Sequence, residues 1–141
     1  MNITAINAQH LPHVWPAIMQ YIQEPLEYES GGLTPEKIYS RIESGTFVLL
    51  VAWEGNRVLA AQTCEVISDP AGRVMNLPTT GGVELEKWQD AMADAIERLA
   101  TEQGCISVRT RGRPGWLRQL KRNGFKPLYF IAEKRINHGR L

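Results

Sequence analysis

The sequence has few of the residues that mark a secreted, metal-binding or membrane-spanning protein. It contains only two cysteines, Cys64 and Cys105, and three histidines in 141 residues. Neither cysteine belongs to a CxxC pair or a Cys/His cluster, so we expect buried free thiols and no metal site. No apolar run reaches the roughly 20 residues that span a bilayer, and the first residues do not resemble a secretory signal. We therefore expect no membrane partner and a cytoplasmic location.

Acidic side chains are scarce in one part of the chain. Residues 103–141 hold ten Lys/Arg and one Asp/Glu, whereas residues 1–102 hold six and fourteen. This separation favours either an anionic partner or contact between the two halves of the chain. Trp116 lies among the basic residues, a pattern that also suits single-stranded nucleic acid. No nucleic-acid motif accompanies Trp116, so we rank an acidic protein surface or a cofactor phosphate above nucleic acid as the partner of the basic residues. We expect Trp116 itself to be a core residue.

The pattern of apolar residues predicts a single domain, residues 1–141, with a mixed α/β sheet. Helices are indicated by apolar residues at every third or fourth position, and strands by β-branched and aromatic runs. The predicted order is β-α-α-β-β-β-α-β-α-β. The first part has a strand at 3–6, a helix that is regular only after Pro12 and Pro16 and ends at Glu24-Pro25, and a second helix at 34–45. A hairpin of 46–53 and 58–67, a strand at 73–77 and a turn at 78–82 follow. The rest consists of a helix with Leu85, Trp88, Met92, Ile96 and Leu99 on one side, a strand at 105–109, a basic helix at 113–122 and a last strand at 126–136.

The passage from the strand at 73–77 through the long helix to the strand at 105–109 is a crossover connection. Such connections make the two strands parallel neighbours in one sheet. A gap between them would leave room for an extended ligand, whereas side chains that fill the gap would exclude one.

This order of elements, with Asn123-Gly124-Phe125 ending a helix before the last strand, resembles the GNAT superfamily of acetyl-CoA-dependent N-acetyltransferases. The resemblance covers nearly the whole chain. The run from Gly104 to Trp116, with Leu120 and Glu133-Lys134 after it, is similar to small GNAT-like proteins of bacteriophages and prophages. The resemblance implies an acyl-CoA N-acyltransferase fold.

In that superfamily, a Val-x-Pro-like step and a Gln/Arg-x-x-Gly-x-Gly/Ala loop precede the long helix and wrap the cofactor pyrophosphate. Backbone N–H groups at a helix start favour phosphate, and glycines allow it to come close. Here the loop is shorter and has no Arg or Gln, and Glu84 and Glu86 after it would repel a pyrophosphate. The alternative is a Gly-Gly turn into a helix. The resemblance implies that the cofactor-binding residues are Leu77, Thr79, Thr80, Gly81, Gly82 and Val83.

The catalytic residues of the superfamily are matched only in part. Many members have a Tyr that protonates the departing thiolate, and Leu120 occupies that position. The usual strand Glu that acts as general base is replaced by Asn76, and the nearest carboxylate is Glu65 on the preceding strand. Glu65 is therefore the candidate base if it faces the cleft rather than solvent. Glu27 and Tyr28 fall where similar enzymes border the acceptor.

Two function classes follow. The first is an acetyl-CoA-dependent N-acetyltransferase, encoded by a phage or prophage, with an amine as the acceptor. The second is a catalytically degenerate GNAT fold that uses no cofactor and contacts other phage structural proteins as a virion or assembly protein. The first predicts the host cytoplasm and the second the virion, and a homo-oligomer is compatible with both.

Overall fold

The computed structural model describes residues 1–27, 32–112, 114–134 and 136. The chain divides into two compact units, residues 1–111 (unit 1) and 112–141 (unit 2). Unit 1 contains β1 (Asn2–Ile6), α1 (Leu11–Leu26), α2 (Pro35–Glu43), β2 (Val48–Glu54), β3 (Arg57–Asp69), β4 (Gly72–Leu77), β5 (Thr80–Gly82), α3 (Leu85–Glu102) and β6 (Ser107–Thr110). Unit 2 contains a 3-10 turn, Pro114–Trp116, and α4 (Leu117–Arg122).

The strands of unit 1 form one mixed sheet. The hydrogen-bonded order is β1-β2-β3-β4-β6, and β5 pairs with β3. All neighbouring pairs are antiparallel except β4 and β6, which are parallel with Val74 opposite Ser107 and Leu77 opposite Thr110. The predicted mixed α/β sheet and the predicted parallel pairing across the crossover are therefore confirmed.

Helices α1 and α2 cover one face of the sheet. Their side chains share a core cluster with alternate residues of the central strands, among them Leu49, Val51 and Ala61. The intervening residues point to the other face because side chains alternate along a strand. There α3 packs with its buried stripe, which consists of Trp88, Met92, Ile96 and Ala100.

The predicted boundaries of the first helix were wrong. Helix α1 begins at Leu11, before both Pro12 and Pro16, and continues through Pro25 to Leu26. Pro12 is tolerated because the first N–H groups of a helix have no partner within it. Burial of apolar side chains such as Ile18 stabilises the remaining turns despite the internal prolines. In contrast, α2 begins as predicted, with the Thr34 hydroxyl accepting from Lys37 N at 3.2 Å.

The last strand, predicted at 126–136, was also wrong. Among residues 126–134 and 136, which the structure describes, none is in a strand. A strand needs a hydrogen-bonding neighbour, Pro127 cannot donate to one, and apolar sequence alone does not form a ladder. The helix before it ends as predicted, with Gly124 at φ 86° and Phe125 N donating to Leu120 O at 3.1 Å.

Candidate functional site

A β-bulge interrupts the strand that lies beside β3. Glu65 of β3 pairs with Asn76 of β4, and Gln62 of β3 pairs with Thr80 of β5. Between these pairs, β3 contributes two residues and the neighbouring strand contributes three, residues 77–79. An extra residue bends a strand and disrupts its ladder. The stretch predicted to be a turn at 78–82 is therefore a bulge followed by a short strand.

The sheet opens at this bulge. Strands β4 and β6 pair as far as Leu77 and Thr110, and Thr110 is the last residue of β6. Strand β5 continues along β3, and within the described residues it pairs with no other strand. The edge of β5 that faces away from β3 is thus unpaired over Thr80–Gly82. The predicted gap is absent between β4 and β6 themselves, which are hydrogen-bonded from Val74 to Leu77, and the unpaired edge lies beyond them on β5.

The unpaired edge presents backbone hydrogen-bonding groups. Val83 N donates to Leu59 O at 2.8 Å, so this pair belongs to the hydrogen-bonded positions of the antiparallel ladder. Bonded and non-bonded pairs alternate in such a ladder. Thr80 and Gly82 therefore direct their N–H and C=O groups away from β3. These groups can pair with the amides of an extended chain laid along β5.

Buried polar side chains stabilise the bulge. The Gln62 side-chain amide donates to Thr63 O at 2.8 Å and to Thr79 O at 2.9 Å. Its carbonyl oxygen accepts from the Thr80 hydroxyl at 2.7 Å. The hydroxyls of Thr63 and Thr79 lie 2.8 Å apart, and Thr79 N donates to Thr63 Oγ1 at 2.9 Å. These bonds replace ladder hydrogen bonds that the bulge interrupts. Neither Gln62 nor Thr63 is among the site residues predicted from the sequence.

Gly81 and Gly82 are required by packing. A Cβ atom on Gly81 would lie 1.9 Å from the carbonyl oxygen of Tyr21, so α1 lies directly against β5. A Cβ atom on Gly82 would lie 2.6 Å from Leu59 O and 2.7 Å from the Cβ atom of Ala60. Both glycines therefore permit close contacts within unit 1. Their part in cofactor binding stays a prediction.

The predicted cofactor-binding residues follow one another along the opening. They begin at the last residue of β4 and end just after β5. Leu77 and Thr79 are buried, Thr80, Gly81 and Gly82 form β5, and Val83 is exposed.

The side chain of Glu65, the predicted base, is half-buried. Glu65 pairs with Asn76, and this is the last β3–β4 pair before the bulge. Its Oε1 accepts a hydrogen bond from Asn76 Nδ2 at 2.9 Å. Side chains alternate along β3, so Glu65 shares a face with Ala61, which belongs to the core cluster of α1 and α2. The structure thus brings together Glu65 and the residue that replaces the usual strand Glu. Their positions on adjacent antiparallel strands were the signal that could have predicted this contact.

Arg109, one of the basic residues considered for an anionic partner, already has a partner in unit 1. Both of its terminal nitrogens donate to Asp69 Oδ2 at 3.2 Å. Ala71 N donates to the other carboxylate oxygen at 3.0 Å. The hydrogen bond from Ala71 and that from Arg109 lower the pKa of Asp69.

Only Val83 and Glu84 connect β5 to α3. Glu84 has a left-handed φ of 54°, and no side chain caps the helix. Its carboxylate contacts Arg57 and lies 3.1 Å from Lys87 Nζ. The Glu54 carboxylate lies 3.2 Å from Lys87 Nζ and 3.6 Å from Arg57 Nη2. We call these four residues, Glu54, Arg57, Glu84 and Lys87, the charged quartet.

The charged quartet is mutually neutralised. Hydrogen bonds from Lys87 and Arg57 lower the pKa of Glu84, and Glu84 raises the pKa values of both cations. Glu86 adds a further carboxylate in the first turn of α3, where it favours the positive end of the helix dipole. The opening thus offers unpaired backbone groups of the kind that can pair with the amides of a pantetheine arm, whereas carboxylates occupy the start of α3, where the resemblance places the pyrophosphate.

Leu120, which takes the place of the usual Tyr, adds no catalytic group. Leu120 lies in α4, and an aliphatic side chain cannot donate a proton. Tyr28 lies outside the described residues. No group of His, Cys, Asp or Glu in the described part of the chain could hold a metal ion. Among the described residues, no helix combines the length and apolarity needed to cross a membrane.

Comparisons with known proteins identify the fold. The sequence matches no protein-family model and no curated protein. The structure is similar to an aminoglycoside acetyltransferase, meta-AAC0020, from an uncultured soil metagenomic sample, with a TM-score of 0.72 and 13% identity over 96% of this chain and 95% of that one. It is also similar to a GCN5-related N-acetyltransferase from Ralstonia eutropha JMP134, with a TM-score of 0.71 and 15% identity over 95% and 97%.

A third similar structure holds a ligand. This predicted acetyltransferase from Clostridium acetobutylicum, solved with acetyl-CoA, has a TM-score of 0.70 and 14% identity over 95% of each chain. At these identities the likeness concerns the fold. The chain has the fold of the GNAT acetyltransferases, as its sequence predicted.

Proposed function

We propose that this chain is an N-acyltransferase that transfers an acetyl group from a thioester, acetyl-CoA in the first instance, to an amine. The observation that carries the proposal is the opening beside β5, where Thr80 and Gly82 direct unpaired backbone groups away from β3. The GNAT fold supports it, and one protein of that fold binds acetyl-CoA. In this proposal, residues 77–83 hold the pantetheine arm of the donor.

The proposed reaction needs little from the chain beyond placement. The amine nitrogen attacks the thioester carbonyl carbon, the C–N bond forms and the C–S bond breaks. Glu65 accepts the proton that the amine loses, with the hydrogen bond from Asn76 holding its carboxylate. The departing thiolate takes a proton from water, because Leu120 supplies none, and the proton that Glu65 returns to solvent neutralises the hydroxide left behind. Backbone N–H groups accelerate acyl transfer because they position the thioester and stabilise the negative charge that develops on its carbonyl oxygen.

The test is amine-dependent release of free thiol from acetyl-CoA, with mass spectrometry of the amine product. A panel of primary amines that includes an aminoglycoside serves as the set of acceptors. We expect Glu65→Gln to lower the rate by about 10²–10⁴-fold, the usual contribution of a general base. Glu43→Gln, at an exposed position of α2, is the control and leaves the rate unchanged. If no amine is acetylated at any donor concentration, the proposal is wrong.

A second candidate rests on exposed apolar side chains in unit 2. Leu128, Tyr129, Phe130 and Ile131 are 59–88% exposed. Clusters of this kind often mark surfaces that bind other proteins. Such a surface fits a catalytically degenerate virion or assembly protein of a phage. Absence of acetyl transfer, together with a stable complex with a phage structural protein that Phe130→Ser abolishes, would favour this candidate.

A further inference from the structure

The opening beside β5 and the start of α3 recognise different chemistry. A coenzyme A thioester has two recognisable parts, an extended pantetheine arm with two amides and a nucleotide that carries a pyrophosphate. The unpaired edge of β5 suits the arm, because edge backbone groups bind an extended chain as an added strand. A bound pyrophosphate would need cations or free N–H groups where the arm leaves β5. That place is the start of α3, which begins three residues after Gly82.

Carboxylates occupy the start of α3. Glu84 and Glu86 flank the first helical residue, and Glu54 also reaches the same place through Lys87. The two cations nearby, Arg57 and Lys87, are both in ion pairs with Glu84. A pyrophosphate would have to displace Glu84 from these cations and would lie against Glu86. Like charges at such distances disfavour binding.

Two backbone N–H groups at this point already have partners. Val83 N is bonded to Leu59 O, and Lys87 N is bonded to Glu84 O at 2.9 Å. Neither residue of the connection is a glycine, and Glu84 itself occupies the left-handed conformation that glycine usually takes. The connection is therefore only two residues long and has no glycine to bring its backbone close to a phosphate.

We propose that the acyl donor is recognised through its pantetheine arm alone, so that the natural donor is an acyl-phosphopantetheine thioester without a nucleotide. Carrier proteins present acyl groups in this form. Unit 2, with eight Lys/Arg and one Asp/Glu, is suited to an acidic carrier protein. The inference rests on the proposed function, because it names the substrate class of the same opening.

Isothermal titration with coenzyme A, 4′-phosphopantetheine and pantetheine tests the inference without an acceptor. We expect the three dissociation constants to agree within about threefold at 0.15 M salt, because none of the added phosphates finds a partner. Coenzyme A binding more than about 30-fold tighter than pantetheine would overturn the inference and leave the proposed function standing. Binding of none of the three would overturn both.

Two variants at one position make the test specific to the edge of β5. Thr80→Pro removes the edge N–H, which points away from β3, and proline is tolerated on a strand edge of this kind. Thr80→Val removes only the hydroxyl. We expect Thr80→Pro to weaken all three ligands about tenfold more than Thr80→Val does, because Thr80→Val reports only the loss of the hydrogen bond from the hydroxyl to Gln62. Equal loss in the two variants would mean that the edge N–H does not bind the arm, and the inference would be wrong.

A charge substitution tests the start of α3. Glu86→Lys places a cation in the exposed first turn. We expect it to strengthen coenzyme A binding severalfold over pantetheine at low salt, a preference that the natural chain lacks.

Finally, an acetylated carrier protein and acetyl-CoA are compared as donors with the best amine acceptor. A higher kcat/KM with the carrier protein supports the carrier protein as the natural acyl donor. A higher kcat/KM with acetyl-CoA overturns that assignment.

Discussion

The side-chain hydroxyls of Thr63 and Thr79 lie 2.8 Å apart across the bulge that opens the sheet. Both residues are buried, and Thr79 N also donates to Thr63 Oγ1 at 2.9 Å. Polar side chains in a core are costly unless they are fully bonded. Their presence here is explained by the bulge, whose backbone groups need partners that the ladder no longer provides. The geometry of the opening thus depends on hydrogen bonds between buried side chains.

We expect Gln62→Leu to disturb the opening. The substitution removes the side-chain donor to Thr63 O and Thr79 O and the acceptor for the Thr80 hydroxyl. Loss of buried partners costs about 1–3 kcal/mol in the free energy of unfolding. Urea denaturation measures this, and titration with pantetheine measures the accompanying loss of affinity. Gln20→Leu, at an exposed position of α1, is the control. If Gln62→Leu retains full stability, the hydrogen bonds of Gln62 do not stabilise the bulge.

Gly81→Ala tests the contact between α1 and β5. A Cβ atom at this position would lie 1.9 Å from Tyr21 O, so the helix must move. Overpacking of a core typically costs about 1–3 kcal/mol, and we expect the upper end of that range because the contact involves backbone. Chemical denaturation provides the measurement. A Cβ atom on Gly115 would contact nothing, so Gly115→Ala is the matched control. Equal stability of the two variants would contradict the close approach of α1 to β5.

Much of unit 1 could be predicted from its sequence. The spacing of Trp88, Met92 and Ile96 predicted the buried side of α3, and the crossover predicted the parallel pairing of β4 with β6. These features follow from local periodicity and from chain connectivity. Both are properties of a single segment or of two segments in sequence order.

The bulge and its hydrogen bonds could not be predicted in the same way. Residues 78–82 combine proline, two threonines and two glycines, which is typical of a turn, and a strand of three residues is too short for a periodic signal. Gln62 lies inside a strand-forming run and its partner Thr80 is 18 residues away. The prediction of the last strand was wrong for a related reason. Leu128 to Ile131 have strand-forming side chains but no hydrogen-bonding neighbour among the described residues.

The ion pair between Asp69 and Arg109 predicts a dependence of stability on acid. The hydrogen bond from Ala71 and that from Arg109 lower the pKa of Asp69 in the folded chain. A carboxyl whose folded pKa is lowered stabilises the fold above its unfolded pKa of about 4, and this contribution is lost as the pH falls through the folded value. We expect Asp69→Asn to be less stable than the natural chain at pH 7 and equally stable near pH 2.

Thermal unfolding at a series of pH values checks this prediction. Asp94→Asn is the control, because Asp94 is exposed on α3 and forms no ion pair among the described residues. A stability difference for Asp69→Asn that persists unchanged to pH 2 would show that charge on Asp69 is not its cause.

The two thiols should differ sharply in reactivity. Cys64 is fully buried in β3, and burial raises its pKa to about 12, whereas Cys105 is half-buried after α3. At pH 8 the thiolate fraction of Cys64 is on the order of one in ten thousand, and the thiolate is the reactive form. We expect a thiol reagent such as DTNB to modify Cys105 first and Cys64 at least about 100-fold more slowly. In guanidinium chloride both should react at similar rates, and Cys105→Ser should leave a single slow site. Fast reaction of Cys64 in the native Cys105→Ser variant would mean that β3 opens to solvent beside the bulge, contrary to the packed arrangement of Gln62, Thr63 and Thr79.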